Sequence, residues 1–148
     1  MQRKIVPNIV KPTDVATAIV SDTVFDAAKL MADKNIAALV VVDGDGNIIG
    51  IVTERDMTQR VIAVGLDAKT TAVEAIMTKN PDTLSPDDSA GDALELMQTR
   101  KYRHLPVTAD GKCIAVVSIR DLYASVKESL EENIRETEAF VFGDRYGA

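Results

Sequence analysis

Apolar positions along this chain change period in a regular order. Val24, Ala27, Ala28 and Met31 fall three or four residues apart, the spacing of one helical face, and Ala38 to Val42 then runs apolar without a break, as a buried strand does. Asn47 to Val52 reads as a second strand beyond an Asp-Gly turn, and a second helix is expected to begin near Glu54. The same order then returns, with Ala90, Ala93, Leu94 and Met97 on a helix, strands at Leu105 to Thr108 and Lys112 to Val117, and a helix from near Ile119. An extended lead-in precedes each copy, Asp14 to Ile19 and Pro81 to Leu84, with Pro86 as a further turn signal.

The recurrence extends to residue identity. Asp26 to Met31 matches Asp92 to Met97 at an offset of 66, and Ile49 to Asp56 matches Ile114 to Asp121 at 65, so one residue is lost in the turn between them. A length change confined to a turn is what loops tolerate. Two copies of one supersecondary unit, each too small to bury its apolar face alone, are expected to pack on each other as a pseudo-symmetric pair. The division is residues 1–68 for the first repeat with its N-terminal segment, 69–125 for the second, and 126–148 for a C-terminal segment, with a weakly patterned linker from Gly65 to Ala72. In that last segment Leu122, Val126, Leu130 and Ile134 form the stripe of an amphipathic helix that leads to Phe140, Phe142 and Tyr146. So much apolar area implies docking, either on its own chain or on a second subunit.

Composition narrows the function. The 148 residues carry 17 Lys and Arg against 23 Asp and Glu, a formal net charge of −6, which opposes domain-wide attraction to nucleic acid or anionic lipid. Apolar runs stop far short of the roughly 20 residues of a membrane span, and no apolar secretory leader opens the chain, so the expected compartment is the cytoplasm. A single cysteine, Cys113, and a single histidine, His104, leave no internal disulfide and no expected metal site. Cys113 reads as a small hydrophobe.

Four places follow Ser/Thr-x-x-Asp: Thr23 with Asp26, Thr53 with Asp56, Ser89 with Asp92, and Ser118 with Asp121. Helix capping accounts for Thr23 and Ser89. Thr53 and Ser118 stand in another context, each directly after a strand in Gly/Ala-apolar-apolar-Thr/Ser-x-Arg-Asp. A hydroxyl, a carboxylate and helix N–H groups at the carboxyl end of a strand also suit an anion or nucleotide.

Gly50-Ile-Val-Thr53-Glu-Arg-Asp56 and Ala115-Val-Val-Ser118-Ile-Arg-Asp121, with Lys101-Tyr-Arg-His-Leu-Pro-Val107 and Thr83-Leu-Ser-Pro-Asp, resemble the motifs of cystathionine β-synthase (CBS) domains, whose tandem pair is a Bateman module. The resemblance covers roughly Ile9 to Ser125. It implies an α+β fold, two pseudo-symmetric CBS repeats of helix-strand-strand-helix with a lead-in strand, packed as one compact module with a C-terminal helix. It also implies a cleft between repeats that holds an adenosine compound, AMP, ADP, ATP, NAD(H) or S-adenosylmethionine, as a regulatory ligand, without catalysis and without a metal.

Carried over by position, Asp56 and Asp121 would accept from ribose hydroxyls, Thr53 and Ser118 would bond ribose or phosphate, and Thr17 and Thr83 would lie near the base. Arg103 would meet phosphate, His104 would stand at the cleft edge, and Arg55 and Arg120 would either reach the ligand or pair with an acid. Arg100 and Lys101 read either as phosphate contacts or as cations at a helix end. Ala37 stands where the second repeat has Arg103, and Ala115 where the first has Gly50, so the clefts are not equivalent and the methyl at Ala115 is expected to narrow one approach to the ligand. The resemblance further implies a homodimer. With no effector domain in the sequence, the output is expected in a partner protein, and the competing reading is a scaffold with empty clefts whose tail recruits that partner.

Overall fold

Each repeat begins its helix with a hydroxyl cap. The Thr23 hydroxyl accepts from the Asp26 N–H at 3.1 Å to open α1 (Val24–Lys34), and the Ser89 hydroxyl accepts from the Asp92 N–H at 3.0 Å to open α3 (Ala90–Arg100). Both helices end in the left-handed region, at Asn35 (φ 53°) and Lys101 (φ 60°), 66 positions apart. The computed structural model describes residues 3–146, with side-chain surroundings through residue 141.

In the first half β1 (Thr17–Ala18) runs parallel to β2 (Ala38–Val42), which pairs antiparallel with β3 (Ile48–Thr53), which pairs antiparallel with β4 (Thr78–Lys79). In the second half β5 (His104–Ala109) pairs antiparallel with β6 (Lys112–Ser118), and Leu84 makes one parallel bridge to Val107, the counterpart of the Ala18 pairing with Val41. The missing residue falls in the hairpin turns. Asp110 (φ 52°) and Gly111 (φ 77°) close the second hairpin as a two-residue turn with both residues left-handed. The longer first turn is held by the Asp43 carboxylate, which accepts from the N–H groups of Asp45 and Asn47, each at 2.9 Å. Those bonds, Asn47 foremost, lower the Asp43 pKa. The two turns meet where the Lys112 ammonium donates to the Asp45 carbonyl.

The chain crosses between halves. Ile5 N–H donates to the Asp88 carbonyl at 2.8 Å and Ala90 N–H to that of Arg3 at 2.7 Å. Val73 N–H donates to the Asp22 carbonyl at 2.8 Å and Val24 N–H to that of Thr71 at 2.9 Å. The N-terminal segment therefore does for the second repeat what the linker does for the first. Burial follows the same exchange. Val73, Ile76 and Met77 pack in the first core with Val24, Met31, Leu39 and Val52, whereas Ile5 packs in the second with Met97, Leu105, Val117 and Leu122. The boundary expected at residues 68 and 69 thus separates two segments along the chain, while each core draws on both.

The second helix of each repeat follows its strand directly. α2 (Glu54–Met57) continues through a wider turn to Ile62, with Ala63 N–H donating to the Thr58 carbonyl at 2.9 Å. α4 (Ile119–Tyr146) is one 28-residue helix, about 42 Å long. Residue 126, the expected start of a separate segment, lies inside it. Leu122 and Ser125 are buried, whereas Leu130 and Ile134 are more than half exposed and Phe140 is 70% exposed. These side chains do not dock on their own chain. Phe142 and Tyr146, the rest of the expected aromatic cluster, lie outside the residues whose side chains are described. Arg3 ties the N-terminal segment to α4 through Glu128 at 3.2 Å and Glu132 at 3.1 Å.

Candidate functional site

The two strand-end motifs differ from the simple caps in being reciprocated. Asp56 N–H donates to the Thr53 hydroxyl at 3.2 Å, while Asp56 Oδ2 accepts from Thr53 N–H at 2.9 Å and from the Thr53 hydroxyl at 3.1 Å. Asp121 N–H donates to the Ser118 hydroxyl at 3.1 Å, and Asp121 Oδ2 accepts from Ser118 N–H at 2.9 Å. One carboxylate oxygen of each pair is thus committed to the backbone. Asp121 Oδ1 accepts no hydrogen bond among the described residues, and Asp56 Oδ1 lies 3.8 Å from Arg60 Nε. The cap uses only one oxygen of each carboxylate and leaves the other outside it.

Two clefts open at these strand ends, and both draw on both halves. The Thr53 cleft, about 280 Å³, combines Thr53, Glu54, Arg55, Asp56, Gln59 and Arg60 with Thr78 and with Arg100 to His104 of the second repeat. The Ser118 cleft, about 530 Å³, combines Val116, Ser118 and His104 with Lys34, Ile36, Ala37 and Ala38 of the first repeat and with Thr13 to Ala16. Shifting Lys34, Ile36, Ala37 and Ala38 by 66 positions gives Arg100, Tyr102, Arg103 and His104. The clefts are therefore pseudo-symmetric in backbone and unlike in chemistry.

His104 lines both clefts. Its Nδ1 is buried and has no hydrogen-bond partner among the described residues. Burial pushes the imidazole pKa below its ordinary 6.5; the carboxylates of Glu54 and Asp121 oppose this, and the Arg103 guanidinium adds to it. His104 is consequently a neutral group at the junction, with one nitrogen unsatisfied.

Of the residues expected at the site, Thr53, Asp56, Arg103, His104 and Ser118 line a cleft, whereas Asp121 holds Ser118 but is not itself a lining residue. Thr17, Thr83 and Arg120 line neither. Thr17 and Thr83 are exposed beside the buried Ala18 and Leu84, the outward positions of a period-two alternation, and Arg120 is exposed on the first turn of α4. Their place is taken by Thr13 to Ala16 and by Thr78. Arg100 and Lys101 prove to be cleft residues as well as helix-end residues, and Arg100 Nε also lies 3.9 Å from Asp82 Oδ2. Lys34 and Arg60 were not expected. The repeat offset from Arg100 points to Lys34, whereas Arg60 had no counterpart in the motif.

The Gly50 and Ala115 difference has another cause than ligand approach. A Cβ at Gly50 would run into Met77 and lie 3.2 Å from the Thr78 carbonyl oxygen, so glycine admits the crossing segment to the sheet edge. Ala115 is buried in the second core and its methyl lines neither cleft. Cys113 donates its thiol to the Ala115 carbonyl at 3.3 Å, and burial raises its pKa.

No helix of the described residues is long and apolar enough to cross a membrane, and no group of three or more His, Cys, Asp or Glu among them is placed to hold a metal ion. A tandem α+β repeat with paired strand-end clefts defines a class, and the comparisons agree. The CBS domain pattern matches residues 8–63 and again 73–128, and the chain belongs to the CBS domain family.

Among its relatives, the CBS domain-containing protein CBSCBSPB2 of Arabidopsis thaliana is 42% identical over 97 residues, which are 66% of this chain and 18% of that protein. CBSX3, a mitochondrial CBS domain-containing protein of the same plant, is 37% identical over 126 residues, 82% of this chain and 61% of that one. The chain thus spans about a fifth of the length of CBSCBSPB2 and under two thirds of CBSX3. A solved CBS-domain protein from Burkholderia ambifaria superposes with a TM-score of 0.78 at 42% identity, covering 84% of this chain and 93% of that one. CBSX2, solved in complex with AMP, shares the fold at a TM-score of 0.66 and 23% identity, covering 80% and 92%.

Proposed function

We propose that this chain is a regulatory module that binds an adenine nucleotide in the clefts between its two CBS repeats, and that it senses energy or redox state without catalysing a reaction. The observation that carries the reading is the pair of reciprocated hydroxyl and carboxylate motifs, each at a strand end and each opening on a cleft lined from both repeats. The carboxylate oxygen left outside the cap, that of Asp56 in its cleft or that of Asp121 next to the lining Ser118, accepts from ribose hydroxyls. The purine lies against the apolar wall of Ala16, Ile36, Ala37 and Val116 in the Ser118 cleft, and against Ile51 and Tyr102 in the other. The AMP complex of CBSX2 supports the same ligand chemistry. A ligand that touches both halves binds best to one arrangement of them, and that difference in affinity is the signal.

Thermal unfolding tests the proposal. AMP, ADP, ATP or NADH at about 100 times its dissociation constant should stabilise the fold by about 2.7 kcal/mol, and guanine and pyrimidine nucleotides less. No shift with any adenosine compound refutes it, and turnover of the nucleotide on prolonged incubation refutes the absence of catalysis.

One observation favours a second role beside the first. The exposed stripe of Val126, Leu130, Ile134 and Phe140 on α4 is suited to a second subunit, in a homodimer, or to an effector protein that reads the clefts.

A further inference from the structure

The two clefts share a backbone plan and differ in charge. Arg55, Arg60, Arg100, Lys101 and Arg103 line the Thr53 cleft against two carboxylates, Glu54 and Asp56, whereas the Ser118 cleft has Lys34 against Asp14. Arg60 leans toward Asp56 and Arg100 toward Asp82, but Arg55, Lys101 and Arg103 make no ion pair among the described residues. Such a concentration of cations is unexpected on a chain of net charge −6. Like charges crowded into a small cleft repel each other, and that cost is relieved by a polyanion. The Ser118 cleft is nearly twice the volume, and Val15, Ala16, Ile36, Ala37, Ala38 and Val116 supply just over half of its lining.

We propose that the clefts divide ligands by charge: the Thr53 cleft is the site for a di- or triphosphate chain, and the Ser118 cleft takes an uncharged or singly charged nucleoside compound. The specificity-determining residues are Lys101 and Arg103, which are exposed, make no ion pair among the described residues and line the Thr53 cleft from the second repeat, with Ala37 as the counterpart of Arg103 in the other cleft. Guanidinium at that position grips phosphate oxygens in pairs, while a methyl offers only a surface for a base. A module of this kind reports two ligands at once, since both clefts bear on the same interface and share His104.

The inference rests on the reading of the clefts as nucleotide sites, and inorganic tripolyphosphate separates the two. Calorimetry on the full chain should show one tripolyphosphate site, weakened by salt. In Lys101→Gln/Arg103→Gln its affinity should fall by about tenfold or more. Ala37→Arg should create a second tripolyphosphate site in the Ser118 cleft, and thermal unfolding of each ligand-free variant verifies that it folds. Wild-type binding of two equivalents with equal affinity, or binding unchanged in the double variant, overturns the assignment. If tripolyphosphate behaves as expected while neither adenosine nor AMP binds, the polyanion site in the Thr53 cleft stands, and the nucleotide reading falls together with the nucleoside assignment of the Ser118 cleft.

Discussion

Asp56 and Asp121 each cap a helix with one carboxylate oxygen, the proposed function gives the other oxygen to ribose, and the two tasks can be measured apart. Asp121→Ala removes the acceptor for Ser118 N–H, a half-buried donor at the start of α4, and should destabilise the fold by about 1 kcal/mol. On the proposed function the same change also removes an acceptor for ribose, and calorimetry should show nucleotide affinity at that cleft falling by about 10- to 150-fold. Asp56→Ala should act likewise at the other cleft. A variant that loses stability but binds normally would show that the carboxylate serves only as a cap.

His104 gives a pH dependence that can be assigned, because it is the only histidine in the chain. Its folded pKa lies below 6.5, so the unfolded chain binds this proton more readily than the folded one. Stability from this residue is therefore present above about pH 6.5 and declines as pH falls below that value. Urea unfolding at a series of pH values should show that decline in the parent and not in His104→Gln.

At the scale of elements, the crossing segments make each half depend on chain outside its own repeat. Ile5 is fully buried among Met97, Leu105, Val117 and Leu122, so Ile5→Ala should cost about 2–5 kcal/mol. The loss should appear first in the second half. Hydrogen exchange should accelerate in β5 and β6 before β2 and β3, and Val73→Ala should reverse that order. Simultaneous, equal acceleration in both sheets would mean that the two cores unfold as one unit.

At the scale of the molecule, α4 projects its apolar stripe beyond the body it springs from. Truncation after Ser129 keeps Leu122 and Ser125, which are buried, and removes Leu130, Ile134 and Phe140, which are exposed. The fold and the clefts should survive, and self-association should weaken, because burying each such side chain is worth about 1.5–3 kcal/mol. Sedimentation velocity reads the outcome directly. An unchanged oligomer would assign the stripe to a different partner.

The repeats, their order of helix and strands, the hydroxyl caps of Thr23 and Ser89 and the hairpin turns were all legible in the sequence. Each rests on residues a few positions apart, where spacing and φ preferences act locally: Thr23 caps through a contact three residues away, and Asp110-Gly111 turns within two. The family resemblance was legible for the same reason, since Thr53 with Asp56 and Ser118 with Asp121 are local pairs repeated in register. What depended on the packing of one half against the other was not. No local pattern tells Ile5 to enter the second core or Val73 the first, or that Gly50 serves Met77 and Thr78. Nor does any spacing tell Arg103 that its side chain will serve the cleft of Thr53. Those are contacts between segments tens of residues apart, chosen by which apolar faces the pseudo-twofold pairing brings together, and only the tertiary structure decides them.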